Sequence, residues 1–250
     1  MKISACLITY NEEHNLPRCL ESLKHVADEI VIVDSGSSDR TNFIATDYNA
    51  RFIRHEWEGF VGQKNFAINK ASCDWILSID ADEALSPELQ QAIQVLKGSS
   101  TIPEASGYEM SRVVFYQNTW IRFGDWYPDR LVRLFQKNSA RFDGGSVHEQ
   151  LDVDGLIKGI DGELHHYSFK DEQDYLDRME HYSTLWAQQK QEESLSCNAL
   201  SPILHGSWKL IRSFLIKNGW KGGALGWRLA QLQAKEVFLK YRKLLRLANN

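Results

Sequence analysis

The stretch best equipped for chemistry is Trp75-Ile76-Leu77-Ser78-Ile79-Asp80-Ala81-Asp82-Glu83, an apolar run that stops on alternating carboxylates. Such a run reads as a buried strand delivering acids to its own C-terminal edge. That edge is where open α/β sheets bind ligands. Asp80 and Asp82 lie two apart, so in a continuing strand their side chains share a face. Two hard oxygen ligands side by side suit Mg2+ or Mn2+ carrying a diphosphate, because such ions are held by one or two carboxylates plus substrate phosphates. The competing reading is a solvated strand-to-helix turn, since Ser86-Pro87-Glu88 has the form of an N-cap and first helical turn.

The elements that must position these acids are written upstream. Ile3–Thr9 reads as a first strand ending in Tyr10-Asn11-Glu12-Glu13, with Asn11 as an N-cap and Leu16, Cys19, Leu20 and Leu23 at helical spacing after it. Glu29–Asp34 is a second strand ending on an acid, and Ser35-Gly36-Ser37-Ser38-Asp39 lets backbone amides approach a ligand. An acid at a strand end is also the usual partner of a ribose or base in nucleotide folds. Phe52-Ile53 reads as a short third strand, and a helix carrying Lys64 precedes the central one. Alternating strands and helices predict an α/β fold, a mostly parallel sheet with helices on both faces. The first strand is not followed by G-x-G-x-x-G, and no Walker lysine loop is present, which disfavours dinucleotide binding and P-loop chemistry.

After Gly98 the pattern changes. Gly107–Tyr116 alternates as a strand, and residues 130–135 form another. Between them Trp126, Tyr127 and Asp129 lie in an aromatic loop of the kind that holds a sugar, or that simply covers a core. Gly144-Gly145-Ser146-Val147-His148-Glu149 puts an acid after a glycine turn, and a further strand ends on His165-His166, either of which is a candidate to complete a metal site. Residues 171–193 read as one long helix with Tyr175, Met179, Tyr182 and Trp186 as its apolar stripe, and two more helices follow. The expected division is a catalytic domain over residues 1–170 and a helical extension over 171–250.

Composition sets the setting. Four cysteines without paired spacing predict free thiols in a reducing compartment. No signal peptide opens the chain, so a cytoplasmic location is expected. Residues 201–250 hold ten Lys or Arg against one acid, Glu236, a net +9 that leaves −13 for residues 1–200 of a chain at −4. A basic tail with interleaved Trp suits the anionic surface of a membrane, whereas no nucleic-acid signature accompanies it. Packing against the catalytic body or a dimer partner is the alternative.

Leu7-Ile8-Thr9-Tyr10-Asn11-Glu12-Glu13, Val33-Asp34-Ser35-Gly36-Ser37-Ser38-Asp39-Arg40-Thr41 and Asp80-Ala81-Asp82-Glu83 together resemble the signature blocks of family-two glycosyltransferases with the GT-A fold. Trp126-Tyr127-Pro128-Asp129-Arg130, Arg133-Leu134-Phe135, Val147-His148-Glu149 and His166-Tyr167 are similar to a subgroup of that family, the heptose β-1,4-glucosyltransferases of bacterial lipopolysaccharide core. The resemblance implies a UDP-sugar donor, a divalent cation (Mn2+ or Mg2+), a lipopolysaccharide-core or lipid-linked acceptor, and a peripheral position on the cytoplasmic face of the inner membrane. It implies that Thr9, Glu12, Asp34, Lys64 and Asp80 contact the nucleotide-sugar and that Asp82 and His166 hold the metal. Glu149 is then the catalytic base, with Asp129 and Asp125 behind it, and Trp126, Asp129 and His148 stand on the acceptor side. The family's usual acid pair at the base position reads His148-Glu149 here. Capsule or O-antigen synthesis with another donor, and a non-catalytic UDP-sugar-binding module, are the rival readings.

Overall fold

The computed structural model describes residues 1–99, 104–144, 149–169 and 171–248. The chain forms two compact units, Met1–Arg112 with Asp129–Tyr167, and Val113–Pro128 with Ser168–Asn250.

The chain runs β1 (Ile3–Thr9), α1 (Leu16–Leu23), β2 (Glu29–Asp34), α2 (Thr41–Asp47), β3 (Arg51–Arg54), α3 (Gly59–Lys70), β4 (Trp75–Ser78), β5 (Glu83–Leu85), α4 (Pro87–Gly98), β6 (Gly107–Tyr116), β7 (Thr119–Ile121), β8 (Asp129–Gln136), β9 (Ala140–Gly144), β10 (Glu149–Val153), β11 (Ile157–His166), α5 (Glu172–Glu192), α6 (Ser201–Ile211) and α7 (Gly223–Ala248). The sheet order is β3-β2-β1-β4-β8-β6-β11-β5, with β7 paired to β6. β3, β2, β1 and β4 are parallel, while the pairings of β8 with β4 and β6, and of β11 with β5, are antiparallel. This is the α/β fold expected, its parallel half carrying the acids and its antiparallel half returning later residues to them.

In the first unit the strand alternation sorts side chains to two faces. Ile3, Ala5 and Leu7 of β1 and Trp75 and Leu77 of β4 pack with Leu16, Leu20 and Leu23 of α1 and Leu89 and Ile93 of α4. Cys6, Val31, Val33 and Ile76 face the other way, onto Ala67 and Ile68 of α3. Helices therefore cover both faces, and each fully buried Leu or Ile contributes about 1.5–3 kcal/mol. α4 starts where its residues dictate: the Ser86 hydroxyl accepts from the Leu89 amide at 3.2 Å, with Pro87 in the first turn.

α1 begins at Leu16, so Asn11 is not its N-cap. Asn11 instead takes a left-handed conformation (φ 56°). The acid stretch also departs from expectation. β4 ends at Ser78, and residues 80–83 turn, with the Glu83 amide donating to the Asp80 carbonyl at 2.9 Å and the Asp80 amide donating to the Glu83 carboxylate at 3.0 Å. Asp80 and Asp82 thus do not share a strand face.

The second unit takes in Val113–Pro128, which the sequence reading assigned to the first domain. Tyr116, Ile121, Tyr175, Met179, Leu229 and Leu232 form its core, joined by Trp126 and Phe169. On α5 the buried stripe is Tyr175, Met179, Ser183 and Ala187, while Tyr182 is half exposed. Strict i, i+4 spacing keeps one face, and Ser183 and Ala187 are small enough for α7 to come close, its Lys243 reaching the Ser183 hydroxyl at 2.9 Å. The four cysteines are free thiols. Among the described residues no helix is long and apolar enough to cross a membrane.

Candidate active site

At the C-terminal ends of the parallel strands lies a cavity of about 660 Å3. It is lined by Thr9, Tyr10 and Glu12 after β1, Ser35 after β2, Trp57, Phe60 and Lys64 at α3, Asp80 and Asp82 after β4, and Arg112, Glu149 and His166.

Its floor is laced before any ligand arrives. Asp34, almost fully buried, accepts from the Gly36 and Ser37 amides at 2.9 and 2.8 Å and from the Thr9 and Ser37 hydroxyls at 2.9 and 2.5 Å. Asn11 accepts from the Ser38 amide at 2.9 Å, the Glu12 amide donates to the Thr41 hydroxyl at 2.9 Å, and the Glu13 amide donates to Asp39 at 3.0 Å. The blocks after β1 and β2 are therefore two halves of one hydrogen-bonded platform. Asp34, read from the sequence as a nucleotide contact, spends both oxygens on this platform and does not line the cavity.

A chain of charges runs along one side. Lys64, buried on α3, bridges Asp80 at 3.0 Å and Glu149 at 2.5 Å. Arg133 on β8 bridges Asp80 and Glu83 at 2.8 Å each, and Arg112 lies 3.4 Å from Glu83 and 2.7 Å from Asp129. Burial alone would raise the Asp80 carboxyl, but the Arg133 and Lys64 cations outweigh it and hold it well below the usual carboxylate range. Burial would likewise weaken Arg133, and Glu83 and Asp80 more than restore its charge.

Register explains how distant residues reach this point. β11 pairs antiparallel with β5 so that His166 lies opposite Glu83, and His166 Nε2 comes within 3.3 Å of Asp82 Oδ2. The Tyr167 amide donates to the Asp82 carbonyl at 2.9 Å and fixes the crossing. Asn65 docks β9 through the Phe142 carbonyl and amide, at 2.8 and 3.1 Å. The β9–β10 hairpin then sets Glu149 beside Lys64. Glu149 Oε1 takes the lysine, while Glu149 Oε2 is buried with no hydrogen-bond partner among the described residues.

Among the described residues no cluster of three or more His, Cys, Asp or Glu forms a metal cage. The donor set fits a divalent cation of another kind. Asp82 and His166, 3.3 Å apart, could supply two ligands to an ion that takes its remaining ligands from phosphate oxygens and water.

Thr9, Glu12, Lys64, Asp80, Asp82, His166 and Glu149 are thus gathered round one cavity. Trp126 is not among its lining residues. It packs in the core of the second unit, stacked on Phe169 at 5.7 Å, because an aromatic loop rich in Trp and Tyr satisfies itself against other rings. Asp125 also belongs to that unit and pairs with Lys209 at 2.7 Å and Arg212 at 3.2 Å. Asp129 is engaged by Arg112. His148 lies outside the described residues.

Sequence reasoning quoted Glu83 and Arg133 without giving either a role, and missed Arg112 and the exposed aromatics Trp57 and Phe60, which meet edge to face at 4.9 Å. One signal was present: an arginine between buried apolar residues on a central strand requires a carboxylate partner.

Residues 4–149 match the family described as Glycosyl transferase family 2. The uncharacterized glycosyltransferase RP128 of Rickettsia prowazekii is 31% identical, over 97% of this chain and 86% of its own. The lipopolysaccharide core biosynthesis glycosyltransferase LpsC of Rhizobium meliloti is 30% identical, over 98% of this chain and 92% of its own. Among solved structures, S. aureus TarS aligns with 90% of this chain and 46% of its own at 16% identity and a TM-score of 0.42.

Proposed function

Since the chain belongs to glycosyl transferase family 2, we propose that it transfers a hexose, glucose, from a UDP-sugar to a heptose of the lipopolysaccharide inner core, with inversion at the anomeric carbon. The observation that carries this reading is Glu149 Oε2, a carboxylate oxygen with no hydrogen-bond partner among the described residues, on a side chain that lines the same cavity as the acid turn. A lone acceptor of that kind suits the removal of a proton from an incoming hydroxyl. The core-glycan acceptor is supported by the similarity to LpsC over nearly the whole chain.

In this reading Trp57 and Phe60 offer an aromatic wall for the base, and Thr9 and Glu12 offer polar contacts near it. Asp82 and His166 would hold a divalent cation, Mg2+ or Mn2+, which when bound supplies the charge that neutralises the departing diphosphate. Asp80, already held by two cations, keeps the acid turn in place. Glu149 takes the acceptor hydroxyl's proton as the acceptor oxygen bonds to the anomeric carbon. The bond from that carbon to the β-phosphate oxygen breaks, and its electron pair leaves with UDP. Lys64 orients Glu149 through Oε1 and leaves Oε2 for the proton. A lipid-anchored acceptor sets the reaction at a membrane surface, with the basic C-terminal helices as the contact.

The test is UDP release from a panel of UDP-sugars with Mn2+, with and without deep-truncated lipopolysaccharide. Release from UDP-glucose should require the acceptor and vanish in Asp82→Ala. Glu149→Gln should abolish transfer while UDP still binds. Acceptor-independent behaviour with every donor would refute the substrate assignment, and unchanged turnover in Glu149→Gln would remove the base.

A further inference from the structure

The core of the second unit does not account for the outer face of α6 and the turn that follows it. Leu200, Leu204, Trp208, Ile211 and Leu215 are all exposed, Leu204 at 63%, Trp208 at 57% and Leu215 at 58%. Within α6, at about 100° per residue, Leu204, Trp208 and Ile211 fall within an arc of roughly 60°, and Leu200 and Leu215, just before and after the helix, extend this exposed apolar ridge. The opposite face does the packing. Pro202 and Gly206 are buried, and a Cβ at Gly206 would stand 3.2 Å from the Ala234 carbonyl oxygen and 3.3 Å from Phe238 Cβ on α7. Helix packing therefore uses the inner face, and the ridge is a contiguous exposed apolar surface of the kind that marks an interaction site.

The residues that follow the ridge identify its occupant. Trp220 is 53% exposed, and Lys221 lies with its ammonium 5.7 Å from that ring. Lys217 is also exposed, beside the exposed Leu215 and Ile216. Residues 201–250 carry a net +9. Apolar side chains and tryptophans bordered by lysines match a leaflet with acyl chains below and anionic headgroups above. Lys209, Arg212, Arg228, Lys240 and Lys243 meet carboxylates, whereas Lys217 and Lys221 stand exposed beside the ridge, and a second copy would set the same two lysines against their counterparts.

We infer that the α6 ridge inserts into the headgroup–acyl boundary of an anionic membrane, with Lys217 and Lys221 at headgroup level. The ridge would enter to a depth of about 5–10 Å. This inference deepens the membrane contact of the preceding reading and rests on it for its biological purpose. Its physical test needs neither nucleotide nor acceptor.

The full-length protein should sediment with vesicles of equal parts phosphatidylglycerol and phosphatidylethanolamine, less so as salt is raised, and only weakly with phosphatidylcholine vesicles, with little dependence on salt. The double substitution L204E/L215E, at two exposed positions, should lower the partition coefficient by about a hundredfold. Lys217→Glu/Lys221→Glu should lower it selectively for the anionic vesicles, which keeps the test intact if the first variant fails to fold. Equal partitioning of the wild-type and variant proteins, or no binding to either vesicle, would overturn the inference. So would a dimer by light scattering that L204E/L215E dissociates, since the ridge would then cover a second copy. Vesicle binding and sugar transfer are read separately, so failure of one does not masquerade as failure of the other.

Discussion

Replacing Arg133 by Met isolates the charge chain that holds the acid turn. Arg133 Nη2 donates to Asp80 Oδ2 and to Glu83 Oε1, both at 2.8 Å, and Glu83 is wholly buried. Two hydrogen bonds to charged groups contribute about 1.5–3 kcal/mol each. Removing one partner from a buried ion pair costs about 3–5 kcal/mol. Both routes converge on a loss of about 3–5 kcal/mol. Asp80 keeps the Lys64 ammonium at 3.0 Å, whereas Glu83 keeps the Asp80 amide at 3.0 Å and, as its nearest cation, Arg112 at 3.4 Å, so most of the loss comes from Glu83. At about 2–4 °C per kcal/mol for a chain of this size, the melting temperature should fall by about 6–20 °C. Urea unfolding followed by tryptophan fluorescence measures the loss directly. The double variant Arg133→Met/Glu83→Gln removes the stranded charge and should recover at least about half of it. A loss below about 1 kcal/mol, or a double variant no more stable than the single one, would refute the account.

Lys64→Met leaves Asp80 and Glu149 without the cation between them and should cut turnover by about a hundredfold through misplacement of Glu149. UDP affinity should move far less, and equal losses in both would mean that Lys64 serves the nucleotide alone. Gly162→Ala combines a φ of +103° with a Cβ 2.4 Å from the Leu89 amide nitrogen. Because backbone blocks it, unfolding should show a loss of about 2–6 kcal/mol, and near-neutral behaviour would contradict the packing of β11 on α4. Burial alone would raise the Glu29 carboxyl, but hydrogen bonds from the Ser4 hydroxyl and the Ser72 amide and hydroxyl lower it below its usual value. A depressed folded-state pKa stabilises above the ordinary glutamate pKa and ceases to do so as pH falls through the folded value. Glu29→Gln should therefore cost about 1–3 kcal/mol at neutral pH and nothing at the acid end, and a pH-independent difference would sink the linkage.

Much of the fold and the site was written locally. β1, β2 and the Ser86 cap declare themselves because β-branched alternation, an acid at a strand end and an N-cap hydroxyl act over a few residues. The same locality picked out Asp82, Lys64, Glu149 and His166 as chemistry-bearing types before anything placed them together. It also misled. Asn11 looks like a helix cap, yet it stitches two loops, and the Asp34 carboxylate, expected at a nucleotide, is also what closes the loop after its own strand. Which charge meets which was decided only in three dimensions. Lys64 and Glu149 are 85 residues apart, and Arg133 and Asp80 are 53 apart. Their meetings depend on strand order and register, which are set by the packing of whole faces and not by any neighbouring residue. The ridge on α6 follows the same division. Its period is legible in the residues, but only the packed structure determined that α7 takes the Gly206 face and leaves the leucines and tryptophan outside.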